Sequence, residues 1–140
     1  GMSVQDDIEI LVDEFDLLGD WEQRYRYLID MGKALPAFPE DARDDTHRVK
    51  GCVSQVWLVT RREGDRLVFE ADSDAHIVRG LIAVTLALFS GRPASEILAT
   101  DEGAVFDRLG LKEHITPQRS NGLKSMVQRV KDIATQARAA

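Results

Sequence analysis

Residues 48–71 read RVKGCVSQVWLVTRREGDRLVFEA. Val53 to Arg62 is rich in Val, Trp and Thr, whose branched and aromatic side chains pack well on a pleated surface, so it predicts a strand. Val53, Gln55, Trp57, Val59 and Arg61 would share one face, and Ser54, Val56, Leu58 and Thr60 the other. Apolar groups on both faces predict a central strand. Glu63-Gly64-Asp65 turns the chain, and Arg66 to Ala71 predicts a second strand with Leu67 and Phe69 on one side. Thr46 to Lys50 is a short candidate strand ahead of both. The three together predict an antiparallel meander.

Outward from this sheet the period changes to that of helices. Val4, Ile8, Leu11, Val12, Phe15 and Leu18 recur at helical spacing, with Ser3 and Asp6 as an N-cap pair and Gly19 as the stop. Asp20 and Gln23 form a capping-box pattern for a second helix, whose apolar stripe is Trp21, Tyr25, Leu28 and Ile29. Residues 34–47, ALPAFPEDARDDTH, carry two prolines and a cluster of acids and predict a loop. After the strands, Ser73 is placed to cap a long helix from about Asp74 to Ser90. It is apolar nearly all round and therefore expected to be deeply packed. Gly91 and Pro93 end it. Short helices follow around Ala94 to Leu98 and from Asp101 towards Gly110. Thr116 and Pro117 open a final helix striped by Leu123, Met126, Val127, Val130 and Ile133. The predicted class is α+β, a small three-stranded antiparallel sheet with helices on one side.

The chain has 140 residues, enough for a single domain spanning 1–140, and Gly1 ahead of Met2 reads as a remnant of cloning. A net charge of −6, with acids spread along the chain, argues against nonspecific nucleic-acid binding. No apolar run approaches the roughly 20 residues that span a bilayer, and no signal-peptide pattern opens the chain, so no membrane role is expected. A single cysteine can form no internal disulfide and no cysteine-rich metal site, so no metal or resident cofactor is expected. These features together predict a cytoplasmic protein.

That cysteine, Cys52, is the candidate reactive group. A free cysteine is commonly a small buried hydrophobe. Here it follows Gly51 between two candidate strands, a turn or bulge position where reactive groups tend to be presented. His47, Arg48 and Lys50 are close in sequence. They either favour the thiolate or form a solvated strand edge. With no resolving thiol, Cys-x-x-Cys redox chemistry is excluded. Neither His47, His76 nor His114 is spaced to mark a catalytic partner. A thiol that accepts a group and hands it on remains.

Four stretches, WEQRYRYLIDMGKALP (21–36), VKGCVSQVWL (49–58), FEADSDAHIVRGL (69–81) and RSNGLKSM (119–126), resemble the SufE family of sulfur acceptors, which includes CsdE. The resemblance runs from about Asp20 to Ile133 and implies a SufE/IscU-like fold. It implies a pyridoxal-phosphate-dependent cysteine desulfurase of the SufS or CsdA kind as partner. It further implies a persulfide on Cys52 and delivery of its sulfur to a SufBCD-like iron–sulfur scaffold. The three cysteines of an IscU-type scaffold are absent, so cluster building is not expected. A module that activates a desulfurase by docking alone is the alternative. Gly51 and Lys50 are expected to support the thiol. Arg119, in the first turn of the last helix, either stabilises sulfur anions or pairs with an acid. Asp74 either serves the helix start or helps dock the partner, and Arg48 is a second docking candidate. The loop is expected to tuck against apolar groups at rest and extend on docking. Oligomeric state is open, with room for a homodimer.

Overall fold

Strand β1 (Val56–Glu63) turns through Gly64 and Asp65 into β2 (Arg66–Ser73), and the two pair antiparallel from Val56 with Ser73 to Glu63 with Arg66. The structure is a computed structural model and describes residues 3–139. On β2 the alternation is clean: Leu67, Phe69, Ala71 and Ser73 are buried, while Val68, Glu70 and Asp72 face outwards. Val56 and Leu58 continue the buried face on β1. Each such aliphatic or aromatic side chain contributes about 1.5–3 kcal/mol of transfer free energy.

The third strand is not the one the sequence suggests. It is β3 (Arg92–Pro93), which pairs with the start of β2 and gives the order β1-β2-β3. Residues 46–50 make only a bridge between Arg48 and Trp57, with the Val49 N–H on the Val56 carbonyl and the Leu58 N–H on the His47 carbonyl. Beyond these two bonds Gly51 takes the chain away. Hence β2 is the central strand and β1 an edge strand. Moreover β1 begins at Val56 rather than Val53, because Gly51 to Gln55 form a loop.

Helices α1 (Val4–Asp16) and α2 (Trp21–Lys33) carry the expected caps: Ser3 with Asp6 on the first, Asp20 on the second. Helix α3 (His76–Phe89) starts two residues later than the sequence suggests. Ser73 is still in β2, and Ala75 is the cap residue, without a side-chain bond. It is the core helix, with Leu81, Ile82, Val84, Leu88 and Phe89 all buried. Helices α2 and α3 cross at two glycines. A Cβ on Gly80 would lie 2.3 Å from the Leu28 carbonyl oxygen, and one on Gly32 2.7 Å from the Gly80 nitrogen. Only residues without side chains permit that backbone approach.

Short helices α4 (Ala94–Ala99), α5 (Glu102–Arg108) and α6 (Leu111–His114) lead to α7 (Pro117–Ala139). Helix α7 buries Leu123, Met126, Val127 and Val130 against the same core. The segment between α2 and β1 is pinned to the outer sheet face by Arg43. Its guanidinium lies 5.3 Å from the ring centres of both Phe38 and Trp57 and 2.8 Å from Asp72. Arg79 also approaches Asp72 at 3.0 Å, but its Nε–H is not aimed at the carboxylate, so this is charge pairing without a hydrogen bond. Asp72 thus anchors the segment that delivers the chain to Arg48 and Cys52.

Candidate functional site

Cys52 sits on the Gly51–Gln55 loop, half-buried, with its back to the N-terminal part of α7. Three ties hold the loop. The thiol donates to the Gly122 carbonyl at 3.6 Å. The Gln55 N–H donates to Asp74 Oδ1 at 3.1 Å. Gly51 packs on Ser125 at φ +87°, where a Cβ would lie 2.5 Å from the serine hydroxyl. Gly51 is therefore required twice, for its backbone conformation and for the close approach. An ordinary hydrogen bond contributes about 1 kcal/mol net, so these ties hold the loop by a few kcal/mol at most, within reach of a partner's binding energy.

Beside the sulfur opens a cleft of about 180 Å³. Val56, Val78, Leu81, Leu123 and Met126 form its apolar wall, and Thr116, Gln118 and Arg119 its mouth at the start of α7. Thr116 caps that helix, accepting from the Arg119 N–H through its hydroxyl and from the Ser120 N–H through its carbonyl. Among the described residues Arg119 has no carboxylate at ion-pair distance, although acids are abundant.

Burial pushes the Cys52 thiol above its ordinary pKa, and the nearby Arg48 charge offsets this only in part. Desolvation thus outweighs the basic neighbours in this position, and the tucked group is a thiol rather than a thiolate. Lys50 lies round the corner, in a shallow groove with Ser125, Gln128, Arg129 and Asp132. His47 is engaged with Asp44 at 2.8 Å. Val53, read as the start of a strand, is instead 75% exposed at the loop tip.

The structure therefore brings together Cys52, Gly51, Arg48 and Arg119, with Lys50 on the flank. Asp74 lies just before α3 rather than in its first turn and is tied to the loop. Sequence reasoning assigned no site role to Gly122, Ser125 or Gln55. A glycine inside an otherwise helical pattern at 122 was the one available signal. Among the described residues no three His, Cys, Asp or Glu side chains are grouped to hold a metal ion. No described helix is long and apolar enough to cross a membrane.

Comparison with known proteins adds an independent line. The family model described as SufE, Fe-S metabolism associated domain, matches residues 9–134. A SufE-like protein of Rhizobium etli is 53% identical over 131 residues, covering 91% of this chain and 88% of its own. One from Rhizobium meliloti is 51% identical, covering 91% and 94%. The solution structure of a hypothetical protein from Thermus thermophilus superposes with a TM-score of 0.78 over 96% of this chain and 97% of its own. At 18% identity it speaks to the fold alone.

Proposed function

This chain belongs to the SufE family, associated with Fe–S metabolism, and on that premise we propose that it is a persulfide relay with Cys52 as the carrier. It takes sulfane sulfur from a cysteine desulfurase, stimulating that enzyme, and passes it to an iron–sulfur assembly scaffold. One observation carries this most directly: the chain's only thiol lies on a weakly tethered loop over an apolar cleft.

The chemistry follows from that placement. The Cys52 thiolate attacks the outer sulfur of the desulfurase persulfide; a new sulfur–sulfur bond forms, the old one breaks, and the desulfurase cysteine leaves as thiolate. No net oxidation occurs, and the Cys52 proton is lost to solvent or the leaving group. Tucked, Cys52 is a poor nucleophile because burial holds it protonated. Extension of the loop into the partner relieves that desolvation and brings the thiol back towards its ordinary pKa, which raises the thiolate fraction. On return, the loaded sulfur is sheltered by Leu81, Leu123 and Met126 from oxidants and free thiols. Arg119 at the mouth offers positive charge to the persulfide anion.

Cys52→Ser separates this from activation by docking alone. The relay requires that the variant lose stimulation of desulfurase turnover while still binding. Full stimulation by the variant would assign the protein to non-covalent activation.

A further inference from the structure

We propose that the Cys52 loop carries a cationic docking collar, and that it fits a partner protein whose own reactive cleft is bordered by carboxylates. The collar consists of Arg48, Lys50, Arg119 and Arg129, flanking the thiol, with the exposed apolar Val53 beside it. The proposal rests on the relay role and specifies the surface that the sulfur donor must present.

The chain is acidic overall, at −6. Some of its cations are matched by its own carboxylates, as with Arg61 and Glu70 at 2.7 Å, Arg92 and Asp7 at 2.7 Å, and Lys131 and Glu102 at 2.8 Å, whereas others, such as Lys33, Lys112 and Arg138, stand singly on the surface among the described residues. None of the four collar residues has a carboxylate within ion-pair distance among the described residues. Their placement is shared. Arg119 lines the Cys52 cleft, and Arg48 acts on the sulfur through its charge. Lys50 and Arg129 line the adjoining groove, which includes the Ser125 on which Gly51 packs. Carboxylates also border the area: Asp74 is engaged by the Gln55 N–H, Asp132 by the Gln128 amide and Asp44 by His47, and Asp45 lies on the turn that leads into Arg48. What distinguishes the face is that four cations without an ion pair flank the thiol in a chain whose net charge is negative.

Val53, 75% exposed, follows Cys52 and lines the same cleft as Arg119. An exposed apolar side chain flanked by charged ones is what a transient interface commonly presents. The electrostatics also orient the encounter. An acidic partner is repelled by the bulk of this chain and attracted at one face, the one bearing the thiol. Such steering acts on the association rate more than on the lifetime of the complex, and salt screens it over a Debye length of about 8 Å at physiological ionic strength.

The test uses the full chain and a purified cysteine desulfurase, with association followed by stopped flow across ionic strength and persulfide loading followed separately. Wild type should associate more slowly as salt rises. The double variant Lys50→Glu, Arg129→Glu should slow association by about tenfold at low salt, with dissociation little changed and the difference vanishing at high salt. Arg138→Glu, at the far end of α7 and roughly 13 Å beyond Arg129 along the helix, should have a much smaller effect. Salt-independent association, or an equal loss in Arg138→Glu, would overturn the collar. Salt-sensitive self-association lost in Lys50→Glu would assign the surface to a second copy and overturn it as well. A chain that loads sulfur at a salt-independent rate refutes the collar and keeps the relay. One that binds with the predicted salt dependence yet takes no sulfur refutes the relay and keeps the collar, and absence of any binding refutes both.

Discussion

Gly51→Ala is the sharpest perturbation of the tucked loop. At φ +87° an L-residue is disfavoured by about 1–2 kcal/mol. The added methyl would also lie 2.5 Å from the Ser125 hydroxyl and 3.3 Å from its Cβ. Rotation of the hydroxyl relieves the first contact and leaves the second. The combined cost, about 1–3 kcal/mol, is comparable with what the three ties supply, so the ratio of open to tucked loop should rise about ten- to a hundredfold. Core packing is untouched, so the melting temperature falls only by what the tucked loop loses, about 3–9 °C. The assay is the rate of Cys52 alkylation by iodoacetamide below the thiol pKa, where it should rise by that factor. Adding Ser125→Gly to Gly51→Ala removes the collision and keeps the backbone strain, so it should restore only part of the wild-type protection. An alkylation rate in Gly51→Ala equal to wild type would show that the loop is not held by this contact.

Four further outcomes follow from the same geometry. Asp74→Ala removes the acceptor of the Gln55 N–H and should raise the alkylation rate several-fold, about 1 kcal/mol of loop stability, with a global loss no larger than about 1 kcal/mol by denaturant titration. Because the folded thiol is held above its ordinary pKa by burial, the stability it contributes is fully present below that ordinary value and is lost as pH rises through the folded one. The melting-temperature difference between wild type and Cys52→Ser should therefore shift against wild type at alkaline pH, and Arg48→Gln should move the alkylation pH profile further upward. Gly80→Ala drives a methyl into the Leu28 carbonyl, where neither backbone can yield; it should cost about 3 kcal/mol and lower the melting temperature by roughly 10 °C.

The helices other than the four-residue α6 were legible because their signals are local. Ser3, Asp20 and Asp101 each accept the backbone N–H bond that a cap residue should. The hairpin was legible from its alternation and from Gly64-Asp65. The third strand was not, because two residues, one of them a proline, carry no period; Arg92 and Pro93 are strand only through their pairing with Leu67 and Arg66. Residues 46–50 look like a strand, yet pairing stops after the Arg48–Trp57 bridge because Gly51 diverts the chain. Cys52 itself was conspicuous by being alone. What surrounds it was not. Gly122 and Ser125 reach it from the last helix, and Asp74 reaches its loop through Gln55 from the start of α3, so no local pattern encodes that meeting. Nor could sequence spacing weigh burial against Arg48 at the sulfur; the half-buried position decides that balance.

The most direct test of the relay is the intact mass of the chain after incubation with a cysteine desulfurase and free cysteine. Wild type should gain the mass of one sulfur atom, removable by a reducing thiol, and Cys52→Ser should gain none. A wild-type mass that stays unchanged while desulfurase turnover is stimulated would contradict the account.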